Sequence, residues 1–335
     1  MYKRQKEIFG PYEPDPTGEP IITSSPHHLF SLGDPDAGHF EMYNPHSKLQ
    51  KSGHGSLVET PDGRWYMAHL TSRPLPGQKL NPLGRETALQ EMRWTQEGWL
   101  ELADGSNLAK ETVTVPGTVK QDWQAFDVED HFAADHYDHR FMTPYHGQSS
   151  DWVTVQDGHL LISGRNSLFS QVAPSIMGTR ATSLHYDLQT KVTFHPDHYS
   201  ETAGVGLYYD ANNWFYVRLV QADNERETVL RVLQAKQGQR IDYYLDEVSV
   251  PDESVEVRLR YDEGQVVVVY RFTSQDEWQQ LGGRYDLAYL SDEGVNGEPG
   301  EIGGFTGLFN FIGAVDAYQH QSVGKFAYYS VHNRD

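Results

Sequence analysis

Cysteine is absent from all 335 residues, which excludes disulfides, thiolate metal sites and a cysteine nucleophile. Cations are scarce: 27 Lys and Arg stand against 47 Asp and Glu, a formal charge of -20. Nucleic-acid affinity rests on neutralising phosphates with basic side chains, so no nucleic-acid partner is expected. No apolar run approaches the roughly 20 residues that a bilayer-crossing helix needs, and no membrane partner is expected. The opening Met1-Tyr2-Lys3-Arg4-Gln5-Lys6-Glu7 carries charge with no apolar stretch behind it. No secretory leader is read there, and the cytoplasm is the default expectation.

What remains suffices for packed cores. Hydrophobic residues make up 38% and aromatics 12%, which excludes a disordered chain, and the length favours two domains. Short β-branched and aromatic runs recur at 184–195, 204–209, 214–220, 229–233 and 255–261. The hairpin signal is clearest at 255–272, where two such runs meet across Asp262-Glu263-Gly264-Gln265. No ten-residue stretch shows a capped 3.6-residue period, so helix is expected to be minor. Turn signals every 8 to 15 residues in the second half have the spacing of a sandwich or barrel. The first 115 residues instead hold long Pro/Gly/His-rich connections between strands at 56–59, 64–70, 88–95 and 98–102. A boundary is expected near 114–124, giving domains 1–117 and 118–335.

Three phrases carry a resemblance. Gly10-Pro11-Tyr12-Glu13 leads to Pro20-Ile21-Ile22-Thr23; Gly53-His54-Gly55-Ser56-Leu57 leads to Trp65-Tyr66 and His69-Leu70-Thr71; Leu83-Gly84-Arg85-Glu86-Thr87 leads to Gly98-Trp99-Leu100. In that order they resemble the later blades of the five-bladed propeller of glycoside hydrolase family 43, in its β-xylosidase and α-L-arabinofuranosidase branch. Asp130-His131-Phe132, Ser167-Leu168-Phe169-Ser170, Ala203 to Tyr209 and Gly304-Phe305-Thr306-Gly307 are similar to the concanavalin-like β-sandwich, a jelly roll, appended in that branch. The resemblance implies an all-β chain: a partial five-bladed β-propeller followed by that sandwich.

The resemblance also implies a chemistry. The family inverts anomeric configuration with an Asp base, an Asp that tunes the acid, and a Glu acid. Two carboxyls flanking the bond leave room for a water when about 6.5–9.5 Å apart. In the family all three precede the Gly-Pro-Tyr-Glu phrase, which begins here at residue 10. No counterpart is therefore expected, no catalytic residue is assigned, and the isolated chain is expected to be inactive. Arg85 matches an arginine that reaches the sugar, with pairing to a nearby acid as the plainer alternative. His54 matches a histidine facing the pocket floor, where it binds water or a calcium shell; a structural histidine is the alternative. Calcium prefers oxygen donors, so neither a direct metal ligand nor a cofactor is expected. Phe305 matches a sandwich loop that closes the pocket, with Phe309 as its rival and a core strand position as the alternative. Glu59 and Glu86 have no acid or base role in the family, and Glu86 reads as the structural neighbour of Arg85. His27-His28 and the His136/His139 pair lack a zinc pattern. The stretch 31–45 is longer than the family's usual link and 74–82 is shorter.

The expected partner is a xylose- or arabinose-containing oligosaccharide, with a second polypeptide carrying the early blades and a homo-oligomer through the sandwich as further expectations. A sugar-binding or oligomerisation module without catalysis is the alternative function.

Overall fold

The computed structural model describes residues 3–4, 7–18, 20–23, 47–117, 126–224, 227–295 and 304–334. The long stretch at 31–45, His27-His28 and most of the expected boundary segment lie outside the described residues. The described residues contain no helix.

Strands β1 (Lys3–Arg4) and β2 (Glu13–Pro14) form a two-stranded ribbon. Strands β3 (Gln50–Glu59), β4 (Trp65–Ser72), β5 (Glu86–Trp94) and β6 (Leu100–Leu102) follow as a four-stranded antiparallel meander in consecutive order. This single blade, with the ribbon, is the described part of the partial propeller. Period-2 alternation puts Met67, Met92 and Leu102 on one face, where they bury against Ile22 and Leu100. Trp65 meets Trp94 edge to face at 5.6 Å on the same side.

The second domain begins with β7 (Val128–Asp130), β8 (Val153–Gln156), β9 (His159–Ser163) and β10 (Ser175–Arg180). It continues through β11 (His185–Thr193), β12 (Glu201–Asp210), β13 (Asn213–Gln221), β14 (Thr228–Lys236) and β15 (Gln239–Ser249). The last strands are β16 (Ser254–Asp262), β17 (Gln265–Arg271), β18 (Gln279–Asp286), β19 (Phe309–Asp316) and β20 (Val323–Asn333). They build a six-stranded sheet, β10-β19-β12-β13-β14-β15, facing an eight-stranded sheet, β18-β17-β16-β11-β20-β9-β8, with β7 paired to β20. The inward side chains, among them Val205, Leu207, Phe215 and Val217 from one sheet and Leu188, Val257, Leu259 and Val268 from the other, share one core.

Local chemistry accounts for the elements. In β11 every second residue is buried, as expected of a strand with one solvated face. Strand β12 is buried on both faces because Tyr208 packs on its outer side with Trp214, Tyr216, Leu168 and Phe311. The β16–β17 turn puts Glu263 (φ 46°) and Gly264 (φ 86°) in the left-handed region, as a two-residue type I′ turn requires.

Asp316, at the end of β19, is fully buried. Its carboxylate accepts the backbone N–H groups of Tyr318 (3.1 Å), Gln319 (2.8 Å), Gln321 (2.7 Å) and Ser322 (3.0 Å). Burial alone would raise this carboxyl, but the four N–H bonds outweigh it and hold the group well below the usual carboxylate range. A depressed native value means the stabilisation is complete above the unfolded value of about 3.9 and fades as pH falls through the native one. Asp316→Asn is expected to lose about 2–3 kcal/mol at pH 7 in urea denaturation. The gap between variant and wild type should narrow below about pH 4.

Candidate functional site

The loop 73–85 between β4 and β5 leaves the blade and enters the sandwich. Leu83 is buried within the sandwich core itself. The Pro82 carbonyl accepts Leu308 N–H at 2.7 Å, and the Leu83 carbonyl accepts the Arg180 guanidinium at 3.1 Å. Two glycines permit this approach. Gly84 (φ 68°) and Gly307 (φ 73°) face each other so closely that a Cβ on Gly84 would lie 2.5 Å from the Gly307 nitrogen. A Cβ on Gly307 would lie 2.5 Å from the Leu83 carbonyl oxygen.

This clamp delivers Arg85 to a buried cluster. Its side chain is 8% exposed, and Nη1 pairs with the Asp292 carboxylate, which comes from the sandwich and is fully buried. Asp292 also receives the Tyr209 hydroxyl at 2.6 Å and Lys51 Nζ at 3.3 Å. Lys51 pairs in turn with Glu293. Glu293 accepts the backbone N–H of Asn81 at 2.8 Å and its side-chain amide at 2.7 Å. Two cations of the blade thus meet two carboxylates of the sandwich. Burial pushes the Asp292 carboxyl up, and Lys51, Tyr209 and Arg85 pull it back, so its charge is held by its partners rather than by water.

Phe305 sits on the loop that follows, 61% exposed, with the Arg85 guanidinium carbon 4.5 Å from its ring centre. Arg85 Nε is buried with no hydrogen-bond partner, and Nη2 has none among the described residues. The cluster therefore offers planar N–H donors beneath an exposed aromatic face. Such a pairing suits a neutral, oxygen-rich ligand with an apolar side: the donors fork onto its oxygens and the ring excludes water.

Arg85 and Phe305 are therefore brought together, and the rival Phe309 instead opens β19, half-buried, with Arg180 5.6 Å from its ring centre. His54 stands apart. It is exposed on β3 at φ 50°, where the register with β4 shifts between Gly53 and Ser56. It makes no hydrogen bond, ion pair or ring contact with Arg85 or Phe305. Among the described residues no three His, Asp or Glu side chains gather as a metal site.

Arg85 does pair with an acid, but not with the adjacent one. Glu86 holds Arg73 through both oxygens, at 2.9 and 2.8 Å, while the partner of Arg85 lies 207 residues away. Glu59 is exposed at the end of β3, and His136 and His139 are exposed beside Asp135 and Asp138. Asp292, Lys51 and Tyr209 are the residues that sequence reasoning missed. Tyr209 lies inside a recognised phrase and Lys51 two residues before one, but nothing around Ser291-Asp292-Glu293 marks the acid. A separate cleft of about 560 Å³, lined by Asp15, Trp99 and Asn107 among others, shares no residue with this cluster.

Residues 129–332 match the family described as "Beta xylosidase C-terminal Concanavalin A-like domain", and residues 1–100 match "Glycosyl hydrolases family 43". The chain is 30% identical over 334 residues to a protein named xylosidase/arabinosidase 43B from Humicola insolens, covering 98% of this chain and 58% of that protein. It is 30% identical over 327 residues to a putative beta-xylosidase of Escherichia coli K12, covering 91% of this chain and 56% of the relative. A crystal structure of xylan beta-1,4-xylosidase from Bacillus halodurans C-125 superposes with a TM-score of 0.86 at 30% identity, covering 99% of this chain and 59% of that one. The chain thus spans less than three fifths of the length of these relatives.

The glycine contact generates a test. Gly307→Ala places a methyl group against the Leu83 carbonyl at a left-handed φ. It is expected to cost about 2–4 kcal/mol in chemical denaturation and to open the 73–85 loop to limited proteolysis.

Proposed function

The chain belongs to glycosyl hydrolase family 43, and on that premise we propose that it forms the sugar-gripping side of a β-xylosidase- or α-L-arabinofuranosidase-like hydrolase. The substrate is a xylo-oligosaccharide or a related arabinoside, cleaved with inversion. One observation carries the reading: Arg85, with two nitrogens unpartnered among the described residues, lies under the exposed ring of Phe305 where blade and sandwich meet. The relatives named for xylosidase and arabinosidase activity support the choice of pentose.

Inversion needs one carboxylic acid to protonate the leaving oxygen and one carboxylate to activate a water on the opposite face. We assign both, and the Asp that tunes the acid, to a part of the relatives that these 335 residues do not span. Blades covalently joined to this chain, or carried by a second polypeptide, would supply them. The surface of the blade supports such a neighbour. Leu57 (44% exposed), Val58 (52%), Leu89 (38%) and Trp94 (47%) leave apolar surface on both of its faces. In a propeller those faces are covered by adjacent blades. Arg85 would bind sugar oxygens and Phe305 would exclude water from the pocket.

The 335-residue chain alone is expected to bind xylobiose without releasing nitrophenol from aryl xyloside or arabinofuranoside. Co-expression with the early blades of a relative should restore release. Arg85→Ala should weaken xylobiose binding by about tenfold or more, read by calorimetry. Release by the lone chain would overturn the assignment of the carboxyls, and a soluble complex that binds sugar but stays inert would favour a non-catalytic binding module.

A further inference from the structure

Arg85 is a long side chain with many accessible rotamers, so its presentation to a ligand depends on what holds it. The carboxylate nearest in sequence, Glu86, does not, because Arg73 occupies both of its oxygens. Among the described residues Asp292 is the one hydrogen-bond acceptor of Arg85.

Asp292 is itself fixed from four directions. Tyr209 holds Oδ1 at 2.6 Å and Lys51 approaches Oδ2 at 3.3 Å. The Asp292 N–H donates to the Asn81 carbonyl at 3.1 Å, and the Asp292 carbonyl accepts the Gly304 N–H at 3.0 Å. Gly304 immediately precedes Phe305. The side chain of Asp292 therefore orients the guanidinium, while its backbone anchors the loop carrying the ring above.

We propose that Asp292 is the positioning residue of the pentose site: it holds Arg85 beneath Phe305 with Nη2 left to the sugar, so that affinity is set by a residue of the sandwich rather than of the propeller. The proposal rests on the pentose-binding reading above, and its geometric half can fail separately from that reading.

The test uses the full 335-residue chain and Asp292→Asn, which keeps both backbone anchors and an acceptor for Tyr209 but removes the charge facing Arg85. Two quantities are measured: the rate of phenylglyoxal modification of Arg85, read by peptide mass spectrometry, and the affinity for xylobiose. Asp292→Asn is expected to speed labelling of Arg85 about fivefold and to weaken xylobiose binding about tenfold, with an unchanged near-UV spectrum. Arg85→Ala in that background should cost little further affinity, since the two residues act as a unit. Glu86→Gln, which removes the charge facing Arg73, should leave both readings at wild type. If Asp292→Asn does not fold, Tyr209→Phe removes one of the bonds that fix the carboxylate, and about a twofold rise in labelling is expected. Unchanged labelling and affinity in a folded variant would sink the proposal. A wild-type chain that binds no xylobiose, yet labels faster as Asp292→Asn, would sink the sugar reading and leave the positioning in place.

Discussion

A carboxylate removed from water, Asp292, is the constraint on which the two domains depend. In a low-dielectric setting an unpaired charge costs several kcal/mol, so its partners are obligatory rather than decorative. Those partners come from both sides of the boundary: Lys51 and Arg85 from the blade, Tyr209 from β12 of the sandwich. Breaking a buried pair of this kind typically costs about 3–5 kcal/mol, which makes the relative placement of the domains a sharp minimum. Leu83 adds the apolar part by entering the sandwich core, and the Gly84–Gly307 contact sets how closely the backbones approach.

The chemistry of the site follows from that placement. A guanidinium with one nitrogen bound to a carboxylate is held in a fixed plane, and its remaining donors point in fixed directions. Placing Phe305 over that plane removes water from the side a ligand would approach, which strengthens each donor–oxygen contact. Neither domain holds such a site alone. The arginine comes from a propeller motif and its acid and aromatic neighbour come from the sandwich, so the arrangement exists only once the domains are assembled.

The strands were legible through local signals: β11 follows from period-2 alternation, and β16 and β17 follow from β-branched runs that meet across the Glu263-Gly264 turn. Arg85 and Phe305 were legible only through the phrases around them. Asp292 was not, since a contact across 207 residues leaves no mark in periodicity or spacing. Adjacency even misleads here. Glu86 is next to Arg85 in the chain, yet Arg85 ends the loop while Glu86 opens β5, and Glu86 turns to Arg73 instead. The outer burial of β12 was hidden for a similar reason: residues 168 and 169, which help cover Tyr208 and Trp214, arrive from a distant loop.

The two domains differ in what they can sustain unaided. The sandwich closes two sheets over a continuous core, whereas the blade buries a satellite of five residues, Ile22, Met67, Met92, Leu100 and Leu102. A lone four-stranded meander with apolar surface on both faces is a marginal object in water. Within the described residues, its firm attachment runs through the 73–85 loop, the segment that also carries Arg85 to Asp292. Anything that loosens the attachment therefore moves the guanidinium, and anything that repositions the guanidinium strains the attachment. If the proposed sugar site is right, its affinity and the stability of the blade are tied to the same few atoms, and neither can be altered at this boundary without the other.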